Sequence, residues 1–540
     1  MFVRSITGLY SWNMPANLVG KLRHEKYAVG KTFQWFWHTN TFRATPDLND
    51  FDHSLVVVLW LGMLTQIALG ITLLVDWARF GTAGALEFGA ALLLSYPIVW
   101  AHVLFLALTL YRALTYVLRP KQLGRDIVCA ILESQVRHLR RRHKFTVVAV
   151  AGSVGKTSTK LAIAELLGQN LRVRYQEGNY NDRVTVPLVL FGRKEPSLFN
   201  MLAWLRVFAA NNAEIAFPFP YDVVVVELGT DGPGQMEQFA YLRPDLTVVT
   251  AVTPEHMEAL IDMDTVAREE LTVFQFSKQV LVNADDIAGA YLAGLHFKEY
   301  SLVSKQADYY AGTKPKGLTG QTLSVTLPQG TVEADVTYVG MQGAKIALAA
   351  MAVGDILGLP KTSLIKGATE LKPFAGRLQI FEGAKESTII DDTYNASPVA
   401  VKAALDVLYA ARTTQRIAIL GGMNELGDYA EEAHTEVGAY CDPKKLELVV
   451  TVGQDAKQWI APAAREAGCE VRSFNDPSEA GVYVAGKLKK GAVVLAKGSQ
   501  GGIFTEEAVK QLLAHPGDSE KLVRQSAPWM ARKAKYFSHF

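Results

Sequence analysis

Cysteine is scarce in this chain, and neither sign of charge dominates it. Cys129, Cys441 and Cys469 are the only three in 540 residues. They lie far apart with no CxxC pair, so neither a disulfide framework nor a thiolate zinc site is expected, and a reducing compartment fits. The 55 basic and 53 acidic side chains leave a net charge of +2, so nothing global points to nucleic acid.

Charge is also missing locally, in two places. The run "SLVVVLWLGMLTQIALGITLLV" (Ser54 to Val75) carries none and is long enough to cross a bilayer core of about 30 Å as a helix. "FGAALLLSYPIVWAHVLFLALTLY" (Phe88 to Tyr111) is again free of formal charge, though Pro97 and His102 interrupt it. Lys21, Arg23, Lys26, Lys31 and Arg43 precede the pair, and Arg112, Arg119, Lys121 and Arg125 follow it. Both basic flanks read as cytoplasmic, which predicts a two-pass hairpin in the cytoplasmic (inner) membrane with the rest of the chain on the cytoplasmic side. The stretch Arg125 to Lys144 reads as an amphipathic basic helix, lying against anionic lipid or serving as a solvated linker.

After Lys144 apolar strands alternate with helices, the pattern of a parallel α/β domain. "FTVVAVAG" reads as a buried strand and "KTSTKLAIAELLG" as the helix after it. Between them Gly152, Ser153, Val154, Gly155, Lys156, Thr157 and Ser158 form a loop whose N–H groups can cradle phosphates at a helix N-terminus. Lys156 would reach the β- and γ-phosphates, and the Thr157 hydroxyl would serve Mg²⁺. The first glycine of the general P-loop pattern is missing, because Val150 stands there, so the motif is a compact GxxGKT. Two later strands end on chemistry-bearing residues, Glu227 in "YDVVVVELG" and His256 in "VVTAVTPEH". Both ends belong at the carboxyl edge of the sheet, where they could join Thr157 around metal and phosphate.

From about Phe145 to Asp518 the chain resembles the Mur ligase superfamily, the ATP-dependent amide-bond ligases of cell-wall precursor synthesis. The resemblance is carried by "GNYND" (Gly178 to Asp182), "ELG" at Glu227, "TPEH" at His256, "LVNADD" at Asn283, Gly376-Arg377, "DDTYNASP" (Asp391 to Pro398), "LGGMNELG" and "VVLAKGSQG". The Asp-Asp element is most similar to the MurF type, which joins D-alanyl-D-alanine to UDP-N-acetylmuramoyl-tripeptide. The resemblance implies ATP and Mg²⁺ as cofactors and an acyl phosphate attacked by an amine. It implies Lys156, His256, Arg377, Asp391 and Asp392 as catalytic residues. Asn283, Arg377, Asp392 and Tyr394 would hold ATP with the glycine loop, and Thr157, Glu227 and His256 would hold the metal. Asn179, Asn181, Asn395 and Lys497 would contact substrate. The carboxylate substrate would be a peptidoglycan-type peptide, UDP- or lipid-linked, and the amine an amino acid or dipeptide.

Several positions depart from that pattern. The hairpin stands where a UDP-sugar-binding domain is expected, which makes a lipid-linked precursor plausible. Glu270 aligns where many family members have a carbamylated lysine, making it a further metal candidate. Gly422 replaces an Asp, and Gln342 and Ile346 replace His and Asn. An insertion from Arg193 to Pro220 suggests an amphipathic helix that packs on the membrane segment or is core, and the basic, aromatic tail could touch the bilayer surface, cover the C-terminal domain or stay mobile. The expected organisation is an anchor over 1–144, an ATP-binding domain over 145–372, a Rossmann-like domain over 373–518 and a tail over 519–540. Other amide polymers, such as polyglutamate or a cyanophycin-like chain, and a membrane-bound P-loop ATPase are the competing readings.

Overall fold

The computed structural model describes residues 50–80 and 120–537, apart from 179, 255, 256 and 261, together with isolated positions 19 and 90. The chain divides into two compact units, Met1–Ile131 with Pro196–Leu205, and Leu132–Glu195 with Arg206–Phe540.

In the first unit a 31-residue helix, Asp50–Phe80, extends beyond the apolar run at both ends. At 1.5 Å per residue it is about 46 Å long. Its window Val56–Arg79 has a mean hydropathy of 2.1 and no buried residues. Two of its hydroxyls, Thr65 and Thr72, donate to the carbonyls of Leu61 and Ala68 one turn back, so they need no water. Among the described residues this is the one helix long and apolar enough to cross a membrane. The second expected membrane helix, 88–111, lies outside the described residues.

The second unit holds two sheets, and neither is purely parallel as the sequence pattern suggested. The first contains β1 (Thr146–Ala151), β2 (Val173–Arg174), β3 (Val223–Glu227), β4 (Leu246–Val249), β5 (Val280–Asn283), β6 (Lys298–Ser301), β7 (Tyr309–Pro315), β8 (Gln321–Leu327) and β9 (Gly330–Val336). Their order is β2-β3-β1-β4-β5-β6-β7-β8-β9, parallel as far as β7 and antiparallel through β8 and β9. Strand length and alternation explain the change. β1, β3, β4 and β5 are short β-branched runs buried on both faces, as parallel strands must be, whereas β8 and β9 alternate buried and open positions around a tight turn.

The second sheet contains β10 (Gln379–Gly383), β11 (Ser387–Asp392), β12 (Arg416–Gly421), β13 (Leu448–Val452), β14 (Val471–Phe474) and β15 (Val493–Lys497), in the order β10-β11-β15-β12-β13-β14. Only the β10–β11 pair is antiparallel. Each sheet is covered on both faces by its own apolar layers, one containing Leu166 and Val353, the next Val136 and Phe239, and two further ones the helix Pro398–Ala410 and the strand residues Ile419 and Val494.

One expectation about a flanking segment changes, and another is made specific. The basic helix runs Pro120–Arg142, with Pro120 at its start, where a missing N–H does no harm. From Leu132 it is neither a lipid-facing nor a solvated element. Val136 and Leu139 are fully buried in the layer against β1, and the buried Glu133 accepts from Arg183 Nε at 2.9 Å. Its basic end is held too, because Arg140 bonds the Phe145 and Arg243 carbonyls and Asp245. The insertion forms the helix Met201–Ala216. From Arg206 it belongs with the second unit, where Glu214 pairs with Arg174 and Arg193 and Gln135 bonds Asn212. Its earlier residues Phe199, Met201, Leu202 and Leu205, in the first unit, expose between 57% and 74% of their surface.

Candidate active site

Parallel register brings the carboxyl ends of three strands together. Val150 of β1 lies opposite Glu227 of β3, and Ala151 opposite Val249 of β4. The glycine loop leaves β1 at that point. A Cβ on Gly152, at φ +116°, would come within 2.5 Å of Thr250 Oγ1 and 2.8 Å of the Ala251 nitrogen, so only glycine fits. Ser153 N bonds Ala251 O at 2.9 Å, Thr250 Oγ1 donates to Val154 O at 2.6 Å, and Lys156 Nζ donates to Ser153 O at 3.2 Å. The helix Lys156–Gly168 begins on Gly155 with no side-chain cap. A helix start of this kind, without a side-chain cap, suits an anion.

Glu227 is buried at the end of β3. Its Oε1 accepts from Asn181 Nδ2 at 3.3 Å, which brings the "GNYND" loop to the strand end. Its Oε2 accepts no hydrogen bond of good geometry, and the nearest cation is Lys160 Nζ at 3.2 Å. Lys160 is itself buried and also donates to Gly178 O at 3.0 Å. Sequence reasoning passed over Lys160, which sits one turn after Lys156 among apolar neighbours. The signal was its charge on a core-facing position, since an unpaired buried lysine is rare.

Glu270 ends the helix Met263–Glu270 and is buried, with Oε2 accepting from Gly152 N at 2.7 Å. It therefore reaches the phosphate loop directly, while Arg268 faces solvent. Its neighbour Glu269, also missed, accepts from Gly234 N, Met236 N and Thr230 Oγ1 and so fixes the loop after β3. Burial raises the Glu269 carboxyl above its ordinary range against those donors. Asn283 is saturated: it donates to Thr250 O and Asp286 and accepts from Asp285 N. It shapes the end of β5. His256 and Asn179 lie outside the described residues.

The second sheet contributes the end of β11. Asp392 lies opposite Lys497 of β15, and Lys497 Nζ bonds Asp392 Oδ2 at 2.5 Å and Asn395 O at 3.0 Å. Burial pulls the Lys497 ammonium below its usual range, with Asp392 opposing. Lys497, expected at the substrate, holds the loop that carries Asn395. Asp391 is fully buried; its Oδ1 accepts from Thr393 N and Oγ1, while Oδ2 has no donor. Burial, reinforced by Asp392 and Glu506 and opposed by Thr393, pushes its pKa up to about 7. The Arg377 guanidinium stacks over the Tyr394 ring at 4.3 Å, and its buried Nε has no partner. Tyr394 is raised above its ordinary value by burial; Arg377 opposes and Glu227 adds to it.

Among the buried polar atoms with no hydrogen-bond partner, Thr253 Oγ1 follows β4, Glu227 Oε2 ends β3 with only the Lys160 ion pair, and Arg377 Nε and Asp391 Oδ2 lie at the start of β10 and the end of β11. Orphans of this kind are rare unless a ligand completes them. The hydroxyl of Thr157 and the carboxylate of Glu227 are hard oxygen donors and fit Mg²⁺.

Sequence comparison agrees. Residues 150–354 match the Mur ligase middle domain and residues 376–500 the Mur ligase glutamate ligase domain. The chain belongs to the Mur ligase family. This ligase is 28% identical over 379 residues to the UDP-N-acetylmuramoyl-tripeptide–D-alanyl-D-alanine ligase of Bacillus subtilis, covering 68% of this chain and 76% of that one. Its fold is similar to MurF from Thermotoga maritima in complex with ADP, with a TM-score of 0.59 at 22% identity, covering 73% and 84% of the two chains. MurF from Acinetobacter baumannii gives a TM-score of 0.58 at 21% identity, covering 69% and 77%.

The matched region ends at residue 500, but the ligase continues in ordered contact with its second sheet. Arg524 and Lys533 both pair with the fully buried Glu506, and Phe504 meets Tyr536 and Phe537 edge-on or tilted. Of the roles open to the tail, covering this sheet is the one it performs through Phe537. In "LGGMNELG", Met423 N donates to the Nε2 of the buried His434, whose Nδ1 faces Ala430 O. That histidine, another residue missed, anchors the loop carrying Gly422.

Proposed function

We propose that this Mur ligase is anchored in the cytoplasmic membrane and adds an amino acid or D-Ala-D-Ala to a peptidoglycan-type peptide that is already lipid-linked. The ligase is an ATP-dependent acid–amino-acid ligase of the MurF-like kind, acting on cell-wall precursor. One observation carries the catalytic reading: the glycine loop leaves β1 beside the buried Glu227 at the end of β3, and Glu270 Oε2 accepts from Gly152 N at 2.7 Å, so a phosphate loop and buried carboxylates meet at one strand edge.

The chemistry follows from the charges. The substrate carboxylate attacks the γ-phosphorus of ATP, ADP leaves, and an acyl phosphate forms. The amine then attacks the acyl carbon, inorganic phosphate leaves, and the nitrogen gives up a proton. Both steps gather negative charge, which Lys156, Arg377 and the N-terminus of the helix Lys156–Gly168 offset. Thr157 and Glu227, with His256 and Glu270 as further candidates, would hold a Mg²⁺ that neutralises phosphate oxygens. Lys160 and Asn181 hold the Glu227 carboxylate in place. Asp392 and Lys497 set the loop that carries Tyr394 and Asn395, and Asp391 Oδ2 is the carboxylate atom left to receive the amine. Residues 145–372 would bind ATP and residues 373–518 close over it.

The membrane part of the reading rests on the exposed apolar helix Asp50–Phe80 and on Phe199, Met201, Leu202 and Leu205 in the same unit. Exposed apolar surface of this extent is unusual on a protein surrounded by water. The test is phosphate release by the full chain in detergent, supplied with D-Ala-D-Ala and either UDP-muramoyl-tripeptide or its lipid-linked counterpart. Higher kcat/KM on the lipid-linked peptide supports the proposal. Equal or better use of the UDP-linked peptide removes the lipid-linked substrate and leaves the ligase standing.

A further inference from the structure

The segment after the matched region grips the loop that carries the arginine–tyrosine pair. Arg524 Nη1 donates to Tyr394 O at 3.0 Å and Nη2 to Thr393 O at 2.5 Å. The same guanidinium forks onto Glu506 at 2.8 and 2.6 Å, and Lys533 closes on Glu506 from the last helix at 2.8 Å. Burial alone would raise the Glu506 carboxyl; Arg524 and Lys533 together hold it below its ordinary range. One residue earlier, Val523 sits 2.8 Å from where a Cβ on Gly376 would fall, and Tyr394 N donates to Gly376 O at 3.0 Å. Residues 523 and 524 therefore clamp both the Gly376-Arg377 turn and the Thr393-Tyr394 turn.

We infer that Arg524 is a positioning residue for nucleotide binding, holding Tyr394 under the Arg377 guanidinium from a segment outside the matched ligase domains. A planar fork is the one side chain able to hold two carbonyls and a carboxylate at once. Glu506 keeps the fork from swinging away, and Lys533 neutralises what Arg524 leaves. Without the clamp the loop keeps Lys497 and Asp392 at one end but loses its hold at Tyr394. Arg377 then loses the ring it stacks on. This inference rests on the proposed role of Arg377 at the nucleotide.

The test is ADP titration of the full chain in detergent, comparing the parent with Arg524→Gln, Arg377→Gln and the double variant. Lys533 still neutralises Glu506 in Arg524→Gln, so the fold is expected to persist. Arg524→Lys, which keeps a charge there, replaces it if it does not fold, and the same ADP loss is expected because an ammonium cannot hold all three acceptors. The expected result is about a tenfold weaker ADP Kd for Arg524→Gln and a double variant no weaker than Arg377→Gln alone, the signature of one residue acting through another. An ADP Kd within twofold of the parent overturns the inference, as does a double variant showing the product of the two losses. If Arg377→Gln itself binds ADP normally while Arg524→Gln does not, the arginine–tyrosine reading of the nucleotide site fails separately.

Discussion

Lys160 Nζ lies 3.2 Å from Glu227 Oε2, and both side chains are almost wholly buried. A buried pair of this kind is costly to desolvate, and breaking it from one side strands a charge. Here it also joins three elements: the helix after the phosphate loop, the end of β3, and Gly178 of the "GNYND" loop.

Lys160→Met is expected to destabilise the ligase by about 3–5 kcal/mol, the range for leaving one buried charge unpaired. Adding Glu227→Gln should restore a large part of that loss without restoring turnover. Denaturant unfolding of the two variants decides it; a double variant no more stable than Lys160→Met contradicts the pairing.

Lys156→Ala should leave stability within about 0.5 kcal/mol, as for a change that removes no packing. Its kcat/KM for phosphate release should drop about 10²- to 10³-fold, the scale of losing one donor to developing charge. Full turnover would remove the phosphate loop from the mechanism.

Asp391 gives a pH dependence with a definite sign. Its folded pKa, raised to about 7 from 3.8, means the folded chain binds the proton more tightly than the unfolded one. Its contribution to stability is complete below pH of about 4 and is lost as pH rises through about 7. Asp391→Asn has no such loss, so its melting temperature should gain on the parent steadily across that window. A constant gap between the two curves would refute the shift.

A chain starting at Pro120 is expected to fold, whereas one starting at Phe145 is not. The shorter chain loses Leu132, Val136 and Leu139, each worth about 1.5–3 kcal/mol when buried. It also leaves Arg183 without Glu133. Circular dichroism and proteolysis of the two chains check this, and equal stability would show the helix Pro120–Arg142 to be dispensable.

What the sequence made legible was local. The glycine loop, Glu227 and the Asp391–Asn395 element each sit at a strand end, where a short apolar run announces both the strand and its exit. Lys160 was hidden because its position on the helix face looks like core, and only the three-dimensional approach of Glu227 gives the charge a purpose. Glu269 and Glu270 are adjacent, yet one fixes a loop and the other touches Gly152; no periodicity separates them. The β8–β9 hairpin was readable from its alternation but was absorbed into a parallel expectation. The helix Pro120–Arg142 misled for a physical reason: amphipathic basic helices look alike whether their apolar stripe meets lipid or a sheet. Arg524 had no local signal, since the carbonyls it grips lie more than a hundred residues earlier in the chain.

In most genes a stop codon in the last few percent of the reading frame is forgiven, because the residues lost were doing little. Here Lys533 is among the most deeply buried lysines, held by Glu506 and Glu507, and the closing aromatics lean on Phe504. A premature stop just after the matched domains would leave every residue of the recognised ligase in place and still remove its clamp. Selection should therefore stay strict through Lys533 and Tyr536, well past the recognised ligase domains.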